Sequence, residues 1–280
     1  MNFPNRIAEV RSLRGQEAFV YGLKERAKRQ HCLAYGTFRV EVDHLETLRK
    51  EYSLAVAPIT SVALYVKATA LAVARNPAAN AILFRGLLGT RIVRFHQIDV
   101  NLPVTRRLGE RTITFVGTIR NAPAKSLAEI QRELTDYQRC PPEVSHSIRR
   151  VLWFDGKPLW LARLVHWWMG RSPDFYIQNV GTCGLTLGAG HHEHSFPVAP
   201  TSVVFGRGGV AREPVVRGNE IAIARVLRCS LMIDNYVVPG LLAEQLMRDF
   251  KELLESGSFV AEELRAAAGS AVPRHERQSV

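Results

Sequence analysis

The chain has 280 residues, of which 46% are hydrophobic and 22% charged, and its 37 basic and 26 acidic residues give a formal net charge of +11 at pH 7. This composition excludes a disordered tail, a collagen and a coiled coil, and a chain of this length can bury a core without a metal or disulfide staple. The four cysteines are widely separated, in neither a zinc-ribbon nor a secreted-scaffold pattern, which favours a reducing cytoplasm.

The positive charge is distributed along the chain. Basic residues are interspersed with acidic ones and no run of five like charges occurs, so we expect no nucleic-acid partner. The sequence contains neither a secretory signal nor an apolar stretch of about 18 residues, so we expect a soluble or peripheral protein and do not favour contact with a membrane surface. A phosphorylated small molecule remains a candidate partner.

Residues 5–30 carry charged residues at helical spacing, and the stretch that follows, up to residue 77, predicts one strand and then two helices. Residues Tyr35–Val42 alternate in polarity with the period of two that a half-buried strand has. Residues His44–Glu51 are typical of a helix, and Pro58–Ala74 predicts a buried helix because it is alanine-rich and apolar on nearly all sides. The dipeptide Asn76-Pro77 ends that helix.

The chain from residue 91 onward mixes strands and helices without a regular βαβ repeat. Ser126 and Glu129 have capping-box spacing and predict a helix over 127–139. Three β-rich runs precede it, and the proline in the middle run favours a sheet edge or a strand end; the runs are Arg91–Phe95, Asp99–Val104 and Arg111–Ile119. Later strands are predicted over 203–206 and 220–233, a glycine turn over 206–210, and an amphipathic helix over Leu241–Glu255.

All four tryptophans lie between residues 146 and 172, in what we expect to be a Trp-rich helical insertion over 141–172. Trp153, Trp160 and Trp167 are spaced by seven and so lie near one side of a helix, although Gly156-Lys157-Pro158 is expected to break it in two. Three interpretations stay open: packing against the rest of the domain or a neighbouring subunit, lining an apolar substrate pocket, or resting on a membrane surface.

Five segments follow one another in the order seen in a known family. They are SVALYVKATALAVARNPAANA at 61–81, IRNAPAKSLAEIQREL at 119–134, FYIQNVGTCG at 175–184, VAPTSVVFGRG at 198–208 and LMIDNYVVPG at 231–240. In this order they resemble the catalytic domain of the 2-oxoacid dehydrogenase E2 acyltransferases, which is similar in fold to chloramphenicol acetyltransferase. The resemblance implies an α/β fold (an α+β two-layer sandwich) with a mixed β-sheet and helices on one face, assembled into homotrimers with each active site in a channel between subunits.

The extent of the resemblance also sets the expected domain boundaries. It runs over about residues 25–256, which predicts an acyltransferase-like domain there, an N-terminal extension over 1–24 and a flexible C-terminal tail over 257–280. For cofactors and partners it implies a coenzyme A thioester or an acyl carrier protein and a small-molecule substrate. The net charge of +11 is consistent with attraction of a phosphorylated donor.

The resemblance places the active site in two stretches, and both depart from the family pattern. The family's His-x-x-x-Asp/Asn-Gly motif corresponds to residues 235–240, where Asn235 replaces the histidine and Pro239 replaces the Asp or Asn. Gln178 stands where the family has an oxyanion-binding Ser or Thr. An amide does not take a proton at pH 7, but it can hold or polarise a carbonyl oxygen. The residues expected to bind substrate are Asp234, Tyr236, Asn179, Thr182, Trp160 and Trp167.

A replacement base is available in the stretch GAGHHEHSF at 188–196, which looks inserted relative to the family. Imidazole is the acid–base group for neutral pH, and three histidines with a glutamate also suit a divalent metal. His192 and His194 share a face if the segment is extended, and His191 and His194 do so if it is helical. A solvated loop, a base and a metal site stay open; we take His192 and His194 as candidate bases and expect no metal.

Three functions follow from these observations. The preferred one is an acyltransferase that acts on a small metabolite with a CoA or carrier-protein thioester. The second is the same fold used for cyclisation or elimination of a bound small molecule. The third is a non-catalytic trimer that binds or scaffolds.

Overall fold

A computed structural model of the protein describes residues 15–86, 89–141, 148–149, 152–153, 157–188 and 194–270. The helices are α1 (Gly15–Gln30), α2 (Asp43–Ala55), α3 (Ser61–Arg75), α4 (Leu127–Arg139), α5 (Leu159–Met169), α6 (Pro173–Val180), α7 (Gly240–Ser256) and α8 (Ser258–Ser270). The strands are β1 (Leu33–Glu41), β2 (Ala81–Gly86), β3 (Gly89–Arg94), β4 (Val100–Leu108), β5 (Arg111–Ile119), β6 (Cys183–Leu187), β7 (Val203–Arg217) and β8 (Glu220–Asp234). In the described part of the chain, no helix is both long and apolar enough to cross a bilayer.

Six strands form one mixed sheet in the order β1-β8-β7-β6-β4-β5. The short strand β6 is parallel to both of its neighbours, and the other pairs are antiparallel. Strands β2 and β3 form a separate antiparallel hairpin. The mixed sheet predicted from the family resemblance is therefore confirmed.

Helices α2, α3, α4, α7 and α8 share one hydrophobic core with one face of this sheet. The alternation of side chains along each strand explains the arrangement, since every second residue points to the helices. Phe205 of β7, for example, stacks on Phe250 of α7 with ring centroids 4.2 Å apart, and Phe38 of β1 meets the same ring edge-on. This part of the molecule, called the sandwich below, has the predicted two layers.

The chain after residue 256 is not a flexible tail as far as residue 270. Helix α8 buries Phe259 and Val260 in the sandwich core. Its Glu263 accepts hydrogen bonds from the Tyr52 hydroxyl and from the Leu127 backbone N–H, both at 3.0 Å. The predicted tail over 257–280 is wrong for residues 258–270, because two apolar side chains and one carboxylate attach the helix; residues 271–280 lie outside the described ranges.

The structure corrects the prediction for the glycine stretch 206–210 and explains the proline in strand β4. The predicted glycine turn over 206–210 lies inside β7, which is irregular between Arg207 and Val210. Gly206 is required for close approach instead, because a Cβ there would lie 2.2 Å from the Ser230 hydroxyl oxygen. Pro103 is accommodated in β4 because β4 pairs with β6 only at Val100 and Asn101, which leaves one side of the strand open at the proline.

A second, smaller core joins α1, α5, α6 and the β2–β3 hairpin, and we call these elements the helical unit. Its buried side chains are Ile82, Phe84, Met169, Tyr176 and Val180. Helices α1 and α5 approach closely at Gly22, where a Cβ would lie 2.4 Å from the His166 ring. Because α1 begins at Gly15 and buries Ala18, the predicted domain boundary at residue 25 falls inside a packed helix.

Candidate functional site

A buried histidine and a buried aspartate form a close pair at the end of β8. Asp234 is the last residue of β8, and it lies opposite Leu33, the first residue of β1. His31 precedes that strand by two residues, so the register brings its ring to the carboxylate, with Nδ1 2.6 Å from Oδ2. Both side chains are fully shielded from solvent.

The hydrogen bonds around Asp234 keep its carboxylate ionised. Burial alone would raise the pKa of Asp234, but the hydrogen bond with His31 and two backbone N–H groups lower it below its ordinary value. Those N–H groups belong to Cys32 and Tyr236 and donate to Oδ1 at 3.0 and 3.2 Å. A carboxylate only accepts hydrogen bonds, so Nδ1 of His31 carries the proton. Nε2 of His31 has no hydrogen-bond partner among the described residues.

Sequence reasoning missed His31 as a functional residue. No recognisable motif surrounds it, and its partner Asp234 lies 203 residues further along the chain. The signal that would have found it is the pairing of β1 with β8, whose register places the residues before β1 beside the end of β8.

Asn235 and Tyr236 occupy the turn directly after the pair. The Asn235 backbone N–H donates to the Cys32 carbonyl at 2.7 Å, while its side chain is exposed. Tyr236 is also exposed, and its ring centroid lies 6.0 Å from the Arg85 guanidinium carbon. The position assigned to the family's catalytic histidine therefore presents an amide to solvent beside a buried imidazole.

Gln178, the candidate oxyanion donor, lies near the end of α6 with its side chain exposed. Arg120 fixes this end of the helix, because its Nη2 donates to the Gln178 backbone oxygen at 2.7 Å and its Nη1 forms a 2.6 Å ion pair with Asp99. Among the described residues, no hydrogen bond joins Gln178 to Asp234. One chain by itself does not bring these two predicted site residues together by a direct polar contact.

Asn179 and Thr182, predicted to bind substrate, make local structural contacts. The Asn179 amide donates to the Phe175 backbone oxygen at 2.6 Å inside α6. Thr182 is buried, and its hydroxyl oxygen accepts a hydrogen bond from the Asp99 backbone N–H at 3.1 Å. Thr182 therefore helps to join β6 to the start of β4, and its predicted role in substrate binding stays a prediction.

The histidine cluster lies only partly in the described chain: His191, His192 and Glu193 are outside it. The His194 ring stacks on Phe196 with centroids 6.2 Å apart. Tyr35 holds the segment, since its hydroxyl donates to the Pro197 backbone oxygen at 2.8 Å. Strand alternation places Tyr35 on the sheet face away from the helices, and Asp234 belongs to that same face. His194 thus lies over the face that carries the buried pair.

Trp160 and Trp167 lie on the outer face of α5, where 63% and 49% of their surface is exposed. The Arg171 guanidinium stacks over Trp167, with its carbon 3.6 Å from the ring centroid. With about half or more of each residue exposed, neither tryptophan is buried within the single chain. Substrate binding and contact with a neighbouring subunit stay predictions.

Solved structures with this architecture identify the fold. The dihydrolipoamide acetyltransferase of Azotobacter vinelandii, in which the catalytic roles of a serine, a histidine and an asparagine have been investigated, has a TM-score of 0.67 at 15% identity, covering 93% of this chain and 97% of that one. A probable dihydrolipoamide acetyltransferase from Listeria monocytogenes has a TM-score of 0.63 at 18% identity, covering 89% and 94%. The fold is that of the dihydrolipoamide acyltransferase catalytic cores.

The chain belongs to the family described as 2-oxoacid dehydrogenases acyltransferase (catalytic domain), whose model matches residues 16–141 and 171–261. Among curated relatives, the acetyltransferase component of the pyruvate dehydrogenase complex of Rickettsia felis is 22% identical over 81% of this chain and 48% of its own length. The succinyltransferase component of the human 2-oxoglutarate dehydrogenase complex is 23% identical over 76% and 40%. The chain thus spans less than half the length of these relatives. The unmatched gap at 142–170 nearly coincides with the predicted insertion over 141–172.

Proposed function

We propose that this protein transfers an acyl group from a thioester to a small-molecule acceptor, with His31 as the general base. The observation that carries the proposal is the 2.6 Å hydrogen bond between His31 and the ionised Asp234, which leaves the basic Nε2 without a partner among the described residues. A carboxylate that orients an imidazole in this way is a recurrent arrangement for proton abstraction in acyl transfer. Membership of the acyltransferase family supports the same reaction class.

The chemistry assigned to the pair is a balanced proton transfer. Nε2 removes the proton from the acceptor's hydroxyl, thiol or amine as that atom attacks the thioester carbonyl. The tetrahedral intermediate then expels the thiolate, which takes the proton back from the imidazolium. Asp234 stays ionised throughout and stabilises the charged ring.

The surrounding residues have supporting roles in this proposal. The exposed Asn235 amide donates a hydrogen bond to the developing oxyanion. In a homotrimer of the kind the resemblance implies, α6 of one subunit faces the Asp234 turn of the next, and Gln178 becomes a second donor. Because Nε2 is buried in the single chain, the acceptor reaches it through a local rearrangement around the end of α1. The thioester comes from coenzyme A or from a carrier protein.

The test is an assay of thiol release from acetyl-CoA with a panel of alcohol, thiol and amine acceptors. His31→Gln keeps a donor to Asp234 but removes the base, so kcat/KM should fall by about 10²–10⁴, while the melting temperature stays close to that of the parent. Asn235→Ala should reduce kcat by no more than about 10²–10³. Gln178→Ala is the matched control. It removes a hydrogen-bond donor but no base, so comparing its kcat with that of His31→Gln separates the two effects.

Two outcomes would overturn the proposal. One is full activity in His31→Gln. The other is an inactive parent combined with acetyltransferase activity in the double variant Asn235→His, Pro239→Asp, which would identify a non-catalytic binding protein.

A further inference from the structure

Arg26, on the buried side of α1, is a charged residue with no counter-ion among the residues that the structure describes. Its side chain is almost completely enclosed, with the residue 6% exposed. Nη1 donates one long hydrogen bond, 3.3 Å, to the His166 backbone oxygen at the end of α5. Nε and Nη2 have no hydrogen-bond partner in the described part of the chain, and no carboxylate there forms an ion pair with this guanidinium.

An enclosed guanidinium in this condition is energetically unfavourable. Taking a charge out of water without a partner leaves its desolvation uncompensated, and burial correspondingly lowers the pKa of Arg26. Arg120 is the internal comparison, because its guanidinium pairs with Asp99 at 2.6 Å and donates to two backbone oxygens. At Arg120 the fold thus supplies a carboxylate and two carbonyl oxygens to a guanidinium, and at Arg26 its described residues supply one carbonyl oxygen.

The free atoms of Arg26 have a specific geometry. Nε and Nη2 lie on one edge of the planar group and direct two parallel N–H bonds the same way. A carboxylate accepts such a pair with both of its oxygens, which is the geometry that distinguishes arginine from lysine as an anion ligand. The long hydrogen bond at Nη1 leaves this edge untouched.

The residues beside Arg26 supply further unpartnered polar atoms and an apolar wall. The guanidinium carbon lies 5.3 Å from the Tyr176 ring centroid, and the fully buried Tyr176 hydroxyl lacks a hydrogen-bond partner among the described residues. Burial raises the pKa of Tyr176, so this hydroxyl keeps its proton and can donate. Gln30, one helical turn along the same face of α1, also has a buried Oε1 without a partner in the described chain. Phe84 and Met169 of the second core lie around the tyrosine.

The geometry points to a binding site in the helical unit for the carboxylate of a small apolar acid, held by the Nε–Nη2 edge of Arg26 with the Tyr176 hydroxyl as an additional donor. The carboxylate supplies the missing counter-charge, and the apolar body of the acid lies against the second core. This assignment is independent of the proposed acyl transfer, because it concerns binding and uses neither His31 nor Asp234.

The experiment measures the melting temperature of the full chain, and binding by calorimetry, at constant ionic strength with three probes. Benzoate offers an apolar carboxylate, benzamide has the same shape without the charge, and inorganic phosphate offers an anion without the apolar body. We expect benzoate to raise the melting temperature and to bind, and benzamide to do neither. Stabilisation by phosphate without any response to benzoate would overturn the assignment to a carboxylate.

Two matched variants test the role of the unpaired charge. Arg26→Met removes the charge and keeps an apolar stem, so the ligand-free protein should melt roughly 2–4 °C higher, and benzoate should bind about 10- to 100-fold more weakly. Arg49→Met breaks the satisfied pair with Glu46 in the sandwich, away from the helical unit, so it should lower the melting temperature and leave the affinity for benzoate unchanged.

Tyr176→Phe keeps the ring and should weaken benzoate binding by a smaller factor, which preserves the test if Arg26→Met fails to fold. A parent protein that distinguishes benzoate from benzamide in neither assay, or an Arg26→Met variant that binds benzoate as tightly as the parent, would disprove the site.

Discussion

The sandwich and the helical unit differ in how many hydrogen bonds they supply to a buried charged side chain. In the sandwich, buried Asp99 accepts hydrogen bonds from Arg120, from the Gln97 side chain at 2.7 Å and from the Asn121 backbone at 2.9 Å. In the helical unit, Arg26 has one long hydrogen bond and two free N–H donors among the described residues. A buried ionised side chain whose hydrogen bonds are satisfied stabilises the fold, whereas a buried charge without such partners marks a place where function and stability compete.

The boundary between the two regions corresponds in part to the boundary of the family match. The matched ranges 16–141 and 171–261 contain all the described strands, and the unmatched gap at 142–170 contains α5. Arg26 therefore lies on a matched helix, but its one hydrogen bond goes to a helix outside the match. The fold is therefore shared with the family, while the environment of this charge is built partly from residues outside the match.

The largest effect is expected in the sandwich core. Phe205→Ala removes a fully buried ring stacked on Phe250 and should lower the free energy of unfolding by about 3–5 kcal/mol.

Met169→Ala in the second core should lower the free energy of unfolding by about 2 kcal/mol and should increase hydrogen exchange in α1, α5 and α6 only. Denaturant titration and hydrogen exchange measure both. Equal, global losses for the two variants would mean that the regions are one cooperative unit.

A smaller effect, with a defined pH dependence, is expected at Asp234. Its folded-state pKa is lowered, so the stabilisation is present above the ordinary carboxyl value of about 4 and is lost as the pH falls below it. Asp234→Asn should therefore lower the free energy of unfolding by about 2–3 kcal/mol at pH 7. The difference from the parent should shrink at pH 3.5. A difference that stays constant between these two pH values would contradict an ionised, hydrogen-bonded carboxylate.

Two glycine substitutions compare how tightly each region is packed. Gly22→Ala would place a Cβ 2.4 Å from the rigid His166 ring and should cost about 1–3 kcal/mol, because α1 and α5 must separate. Gly36→Ala, the matched control in the sandwich, would meet only the flexible Met247 side chain, with its sulfur at 2.7 Å, and should cost less. Thermal melts and limited proteolysis near α1 measure the difference. The reverse order would show that α1 is loosely held.

The smallest effect is expected on the outer face of α5. Trp160→Ser and Trp167→Ser remove side chains that are largely exposed in the single chain, so each should change the free energy of unfolding of the dissociated chain by no more than about 0.5 kcal/mol. If the same substitutions strongly destabilise an assembled form at high protein concentration, the tryptophans contact a neighbouring subunit.

Local sequence patterns predicted much of the fold. The Ser126 capping box is present as predicted, with the Ser126 backbone N–H donating to Glu129 at 2.8 Å. The alternating strand predicted from Tyr35 and the apolar helix predicted from Pro58 differ from β1 and α3 by a few residues at their ends. These elements have signals of period 2 or 3.6 within one segment, which is why one sequence suffices to find them.

The features that sequence reasoning missed depend on distant contacts. Helix α8 is attached through Phe259, Val260 and Glu263, and nothing in its own short sequence distinguishes it from a solvated helix. His31 is recognised as a candidate base only from its hydrogen bond with Asp234. The free edge of Arg26 is recognised only because the neighbouring helices, as far as they are described, place no acceptor beside it. The sequence placed the candidate site at the end of the last core strand, which stays a prediction, and it did not point to His31, the group that we propose as its base.

The register of β1 against β8 limits which insertions and deletions this protein can tolerate during evolution. His31 and Asp234 meet because nine consecutive residue pairs align the two strands. Deleting one residue anywhere in β1 would move the preceding chain by about 3.3 Å along its neighbour and turn its side chains to the other face. The pair would then be lost although both of its residues remain in the gene. An insertion or deletion scan of β1 should thus reproduce the phenotype of replacing His31.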